Sequence, residues 1–136
     1  MDIIGNGVDI IENKRIEKSL KIKGFINRIF TKNEIKKSKK SKKLNDRINY
    51  FAKRFAAKEA FVKALGEGFR NNINFSDIEI KNDKKGKPSI AISNNVKKII
   101  KKKFKLNKYK IFLSLSDEKK FSIAYVIINK KWLKNL

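Results

Sequence analysis

Residues 51–68, FAKRFAAKEAFVKALGEG, read as a helix that the rest of the chain encloses. The stretch has no proline and no glycine before Gly66, its alanines favour helix, and Gly66 stands where a helix stops. At about 100° per residue Phe51, Phe55, Val62 and Leu65 gather on one side, as in a core-facing helix. The charges do not collect opposite them. Arg54 and Lys58 fall inside or beside the apolar arc, and Glu59 and Lys63, spaced i and i+4, share a face with Ala52 and Ala56. With no clean solvent face, the helix must be surrounded by protein and hold charges inside. That is costly unless each has a partner, so the stretch is a candidate site. An ordinary surface pair of Glu59 with Lys63 is the plainer reading of the same spacing.

Composition narrows the chemistry. The 136 residues suit one domain, taken here as 1–136. No apolar run is long enough to span a membrane, and the opening MDIIGNGVDII lacks the features of a signal peptide. The absence of Cys removes disulfides and thiolate chemistry and suits a cytoplasmic protein. The absence of His removes every triad, general base and metal site built on imidazole, so a bound metal takes oxygen ligands and is Mg²⁺-like. A formal charge of +23 asks for an acidic partner, either nucleic acid or an acidic protein.

Along the chain, 3–11 (IIGNGVDII) read as a strand in which Gly5 and Gly7 admit a close neighbour and Asp9 interrupts the apolar run. Short helices follow over 13–20, 23–30 and 31–40, the last opened by a Thr31–Glu34 capping box. Residues 36–43 (KKSKKSKK) are a low-complexity exposed stretch, and Asn45 can cap the long helix. After Gly68, Phe75 is a candidate core anchor. Residues 77–81 and 87–92 form a strand pair around a turn at 82–86, with Pro88, the only proline, near its return. Residues 94–104 form a basic amphipathic helix with Val96, Ile99, Ile100 and Phe104 inward. A final hairpin joins 109–116 to 121–129, whose nearly all-apolar second arm reads as a central strand.

Three of these segments carry a resemblance. RFAAKEAFVKALGEG is similar to the signature helix of the holo-(acyl-carrier-protein) synthases, the small bacterial phosphopantetheinyl transferases. Gly5, Gly7, Asp9 and Ile10 match that family's opening Gly-x-Gly-x-Asp-Ile, and Ser114-Leu115-Ser116 its third motif. The third motif ends in His in the family and in Asp117 here, which leaves contact with the coenzyme's phosphorylated ribose in question. The resemblance implies an α+β fold, a small antiparallel sheet wrapped around one long central helix. It also implies a homotrimer with sites at the subunit interfaces.

It further implies Mg²⁺-dependent transfer of 4′-phosphopantetheine from coenzyme A to a serine of apo-acyl carrier protein, in fatty acid biosynthesis. Asp9 and Glu59 would bind the metal, and Glu59, Asp9 and Lys63 would act in catalysis. Glu59 would serve as base, directly or through water, with Asp9 second. Arg54, Lys58, Lys63, Gly66, Gly68, Pro88 and Ser116 would contact coenzyme A. Arg15 and Arg28 would belong to the surface that docks the acidic carrier protein; as residues alone they read equally as solvated helix charges. Two other readings stay open: a nucleic-acid-binding module, resting on +23 and ten Phe, and a degenerate synthase that only binds, resting on Asp117. A membrane role is not expected.

Overall fold

The structure, a computed structural model, describes residues 2–69 and 72–131. In order, the elements are β1 (Ile3–Glu12), α1 (Asn13–Leu20), α2 (Phe25–Ile29), α3 (Lys32–Ser38), α4 (Leu44–Leu65), a 3₁₀ turn (Phe75–Asp77), β2 (Ile78–Asn82), β3 (Pro88–Ile92), α5 (Asn94–Phe104), β4 (Tyr109–Asp117) and β5 (Phe121–Lys130). The long helix is α4, and it is buried on nearly every side, with Phe51, Ala52, Ala56, Ala57, Ala60 and Phe61 fully enclosed. It ends as its sequence dictates. Gly66 is left-handed (φ 70°), its N–H donates to the Lys63 carbonyl and the Glu67 N–H donates to that of Val62. Its start differs from expectation: Lys43 is the N-cap, no side chain caps the helix, and Asn45 lies inside the first turn.

The antiparallel sheet is divided in two: β1-β5-β4, with β5 central as its apolar sequence suggested, and a separate pair β2-β3. From Gly5 onward, past a register shift between Ile3 and Gly5, the odd residues of β1 face α4. Gly7 and Ile11 are buried, while Val8 and Ile10 on the even positions are exposed. The two glycines explain how close strand and helix lie. A Cβ on Gly5 would sit 1.9 Å from the Ala64 carbonyl oxygen, and one on Gly7 2.0 Å from that of Ala60. Two residues of strand and four of helix advance by nearly the same distance, about 6–7 Å, so the two contacts recur in register. Asp9, next on that face, is thereby set against α4.

The capping box of α3 is present, but Glu34 does more than cap. It is buried, accepts from the Thr31 and Ile80 N–H groups (2.9 Å each) and pairs with Lys58. Phe75 is only half buried, stacked on Phe55 and Phe69, and Ile73 beside it takes the buried place. Arg70 and Asn71, in the same connection, lie outside the described residues.

Candidate active site

Three groups of charged residues surround α4, and they are not in one place. The first is at the β1 edge of the sheet. Asp9 on β1 accepts from Lys63 of α4 (Nζ to Oδ1, 3.0 Å), and the same ammonium donates to the Val8 carbonyl (3.0 Å). Lys63 therefore reaches across to the strand instead of closing a simple helix-surface pair with Glu59. Glu59 is held above the usual carboxylate range by its burial first and then by the charge of Asp9; Lys63 and Arg15 pull it back down. Two neighbouring acids, one of them raised above its ordinary value, with a lysine and an arginine close by, form a site suited to a cation or a proton.

The second group is at the β4 edge. Lys53 and Arg54 of α4, Asn82, Gly86, Lys87 and Pro88 of the β2–β3 hairpin, and Leu113, Ser114 and Leu115 of β4 line a cleft of about 380 Å³. The hairpin is tightly folded: Asp83 accepts from the N–H groups of Lys85 and Lys87 (2.9 Å each), with Gly86 at φ 88°. Arg54 is buried and stacked on Tyr50, its guanidinium carbon 3.5 Å from the ring centre. It donates to Asn82 Oδ1 (2.6 Å) and the Tyr50 carbonyl (3.2 Å), while its Nε is buried without a partner. Three cations and no acid line this cleft, which suits an anionic ligand.

The third group is sealed. Lys58 was expected to offer coenzyme A a donor, and the structure corrects this. Its ammonium is fully buried and all three N–H donors are spent, on Glu34 Oε1 (2.7 Å), the Ile78 carbonyl (2.6 Å) and the Phe75 carbonyl (3.1 Å). Burial lowers its pKa and the neighbouring Glu34 raises it. It is a core lysine.

The remaining expected residues are dispersed. Gly66 and Gly68 are exposed at the C-terminal end of α4, just beyond Lys63. There Lys103 of α5 donates to the Leu65 carbonyl (2.6 Å) and to Glu67 (2.9 Å). Pro88 lines the β4-edge cleft, but of the serine pair it is Ser114, not Ser116, that does so. Ser116 faces a separate hollow with Ile10 and Phe121. Arg15 is exposed on α1 near Glu59, and Arg28 is exposed on α2. Asp117 turns to the long helix. It accepts from Asn49 (3.0 Å) and pairs with Lys53 (3.5 Å), both on α4. Sequence reasoning missed Lys53, Asn82 and Lys87, which become neighbours only through the β2–β3 hairpin and α4.

The sequence matches the 4′-phosphopantetheinyl transferase superfamily over residues 5–126. The chain belongs to the holo-(acyl-carrier-protein) synthases of that superfamily. It is 55% identical over 131 residues to the holo-(acyl-carrier-protein) synthase of Pelagibacter ubique, covering 96% of this chain and all of the relative. Among solved structures it is similar to the synthase of Neisseria meningitidis, with TM-score 0.82 and 36% identity over 95% of this chain and 100% of that one. It also resembles the Bacillus anthracis synthase solved in complex with CoA (3′,5′-ADP), with TM-score 0.79 and 38% identity over 95% and 98% of the two chains. The enzyme is thus a transferase acting with coenzyme A and acyl carrier protein, built on the expected antiparallel sheet and central helix. Among the described residues no helix is long and apolar enough to cross a membrane.

Proposed function

We propose that this synthase moves 4′-phosphopantetheine from coenzyme A to a serine of apo-acyl carrier protein and depends on Mg²⁺ to do so. The observation that carries the reading is the pairing of an acid–lysine cluster at one sheet edge with an acid-free cationic cleft at the other. Asp9 and Glu59 fit a divalent ion: burial first and then the charge of Asp9 raise Glu59, and a bound cation would offset both. No group of three metal-ligating side chains exists among the described residues. An ion held here would keep water and phosphate oxygens as its other ligands, which is the habit of Mg²⁺. When bound, it would neutralise charge on the diphosphate.

The chain's own residues do the rest. Lys63 spends two donors on β1 and keeps a third for a phosphate oxygen. Glu59, raised above its ordinary value by burial and by Asp9, accepts the proton of the carrier-protein serine. The serine oxygen bonds to the β-phosphorus, the bond from that phosphorus to the bridging oxygen breaks, and adenosine 3′,5′-bisphosphate leaves.

The two edges are served by opposite faces of α4. Glu59 and Lys63 follow Arg54 by five and nine residues, about 140° and 180° around the helix and up to about 14 Å along it. With the helix between them, the two clusters of a single chain face opposite ways. We infer that the nucleotide cleft of one copy completes the acid–lysine site of the next, in a closed head-to-tail ring of three. The open sheet face supports this. Val8, Ile10, Phe112, Phe121, Ile123 and Tyr125 are each 38–63% exposed there, an apolar surface that a second copy would cover.

Residues 1–136 act as one domain in this account. The family resemblance assigns the enzyme to fatty acid biosynthesis and the cytoplasm, with an acidic carrier protein steered to Arg15 and Arg28. Nucleic acid and membrane are not among its proposed partners. Asp117, neutralised by Lys53, gives no reason to read the chain as a binder without activity. The test is the intact mass of an apo-carrier protein mixed with coenzyme A and this enzyme. A gain of one phosphopantetheine with Mg²⁺ and none with chelator is expected; no gain in either sinks the reading.

A further inference from the structure

One feature of the β4-edge cleft is not explained by the residues expected there. Lys53 lines the cleft beside Arg54, and its ammonium lies 3.5 Å from Asp117 Oδ1 while Asn49 donates to Asp117 Oδ2 (3.0 Å). Asn49 and Lys53 are one turn apart on α4, so Asp117 fastens the end of β4 to the helix at two points. The Lys53 and Asp117 side chains are 29% and 31% exposed, which places the pair at the rim, held but open to a ligand. A free lysine wanders; this one is oriented and still has donors to spare. Arg54 behind it supplies an independent sign of an absent anion: it is 5% exposed, and its Nε is buried without a partner in the wall of the cleft.

Building on the reading of this cleft as the nucleotide site, we infer that Lys53, held by Asp117 and Asn49, reads the ribose 3′-phosphate of the coenzyme. The acid–lysine cluster on the far face of α4 attends to the diphosphate, so the 3′-phosphate is the group left for a separate cationic cleft. Asp117 then does not oppose the phosphate. Its charge is cancelled by the cation it orients, and it becomes a bare repelling charge only when Lys53 is gone.

Calorimetric binding of adenosine 3′,5′-bisphosphate and of 5′-AMP to the full-length protein at one fixed salt tests this. The wild type should prefer the bisphosphate. Lys53→Met should lower bisphosphate affinity about tenfold and move AMP less than about twofold. Asp117→Asn should shift bisphosphate binding less than about threefold alone, yet raise it at least about threefold in the Lys53→Met background. Misfolding would weaken both nucleotides together, so the ratio separates it from a lost contact. Lys53→Met that keeps the preference, or Asp117→Asn acting equally in both backgrounds, overturns the inference. So does a wild type that transfers phosphopantetheine but shows no preference, and in that case the function stands. A wild type that prefers the bisphosphate but transfers nothing overturns the function and leaves Lys53's role.

Discussion

Replacing Lys58 by methionine separates a core lysine from a ligand-binding one. The ammonium joins α4 to Glu34 of α3 and to the Phe75 and Ile78 carbonyls at the start of β2, with no exposed surface. Methionine fills much of the volume but leaves Glu34 ionised and buried with only two backbone donors, and strips a bond from each carbonyl. Breaking one side of a buried pair costs about 3–5 kcal/mol. That is a large part of the roughly 5–15 kcal/mol that holds a domain folded. At about 3–5 °C per kcal/mol for a chain of this size, Tm should fall by about 10–20 °C. Thermal unfolding followed by circular dichroism reads the Tm and urea unfolding the free-energy loss, both at one protein concentration because assembly shifts the midpoint. Lys58→Met with Glu34→Gln should recover more than half the loss, since the amide keeps the cap acceptor and removes the stranded charge. A single variant within about 1 kcal/mol of wild type, with a tenfold higher KM for coenzyme A, would show instead that Lys58 serves the ligand.

Three further outcomes follow from the same geometry. Gly7→Ala places a methyl against the backbone of Ala60 and Ala64; it should cost about 1–3 kcal/mol and reduce kcat/KM more than tenfold by lifting Asp9 off α4, and a fully active, equally stable variant would refute the close packing. Glu59 is raised in the folded state by burial and by Asp9. Its contribution to stability is therefore full below the ordinary Glu value near pH 4.3 and lost as pH rises through the raised one. Urea titrations in chelator across about pH 4–7 should show that loss flattened in Glu59→Gln, and an unchanged slope would contradict it. With +23 on the chain, kcat/KM for an acidic carrier protein should fall steeply with salt, because exposed charges are screened beyond about 8 Å at physiological ionic strength. A flat salt profile would exclude electrostatic docking.

What the sequence made legible was what short-range pattern controls. The Gly66 stop, the Thr31–Glu34 box, the inward face of α5 and the apolar central strand β5 all follow from spacing along one element. The Asn45 cap failed because the helix starts one residue before it, with Asp46 rather than a cap favouring its positive end. The site residues divide along the same line. Asp9, Glu59 and Lys63 were visible as charges set within apolar segments. Lys58 shared that signature for the opposite reason, since its partners lie 24 residues before it and 17 to 20 after it. Nothing in one sequence distinguishes a charge buried against protein from one kept for a ligand. Lys53 and Lys87 looked like any of the chain's many surface lysines until the hairpin and β4 folded around them.

The central claim is one active site made by two chains, and mixing two crippled variants tests it. Asp9→Asn damages only the β1 edge and Arg54→Ala only the β4 edge. Each should transfer almost no phosphopantetheine alone at coenzyme concentrations well below the wild-type KM. Dissociated, mixed in equal amounts and reassembled, they should regain about a quarter of wild-type kcat/KM, the fraction of head-to-tail interfaces that pair two intact edges. A reassembled mixture no more active than the sum of its parts would contradict the shared site.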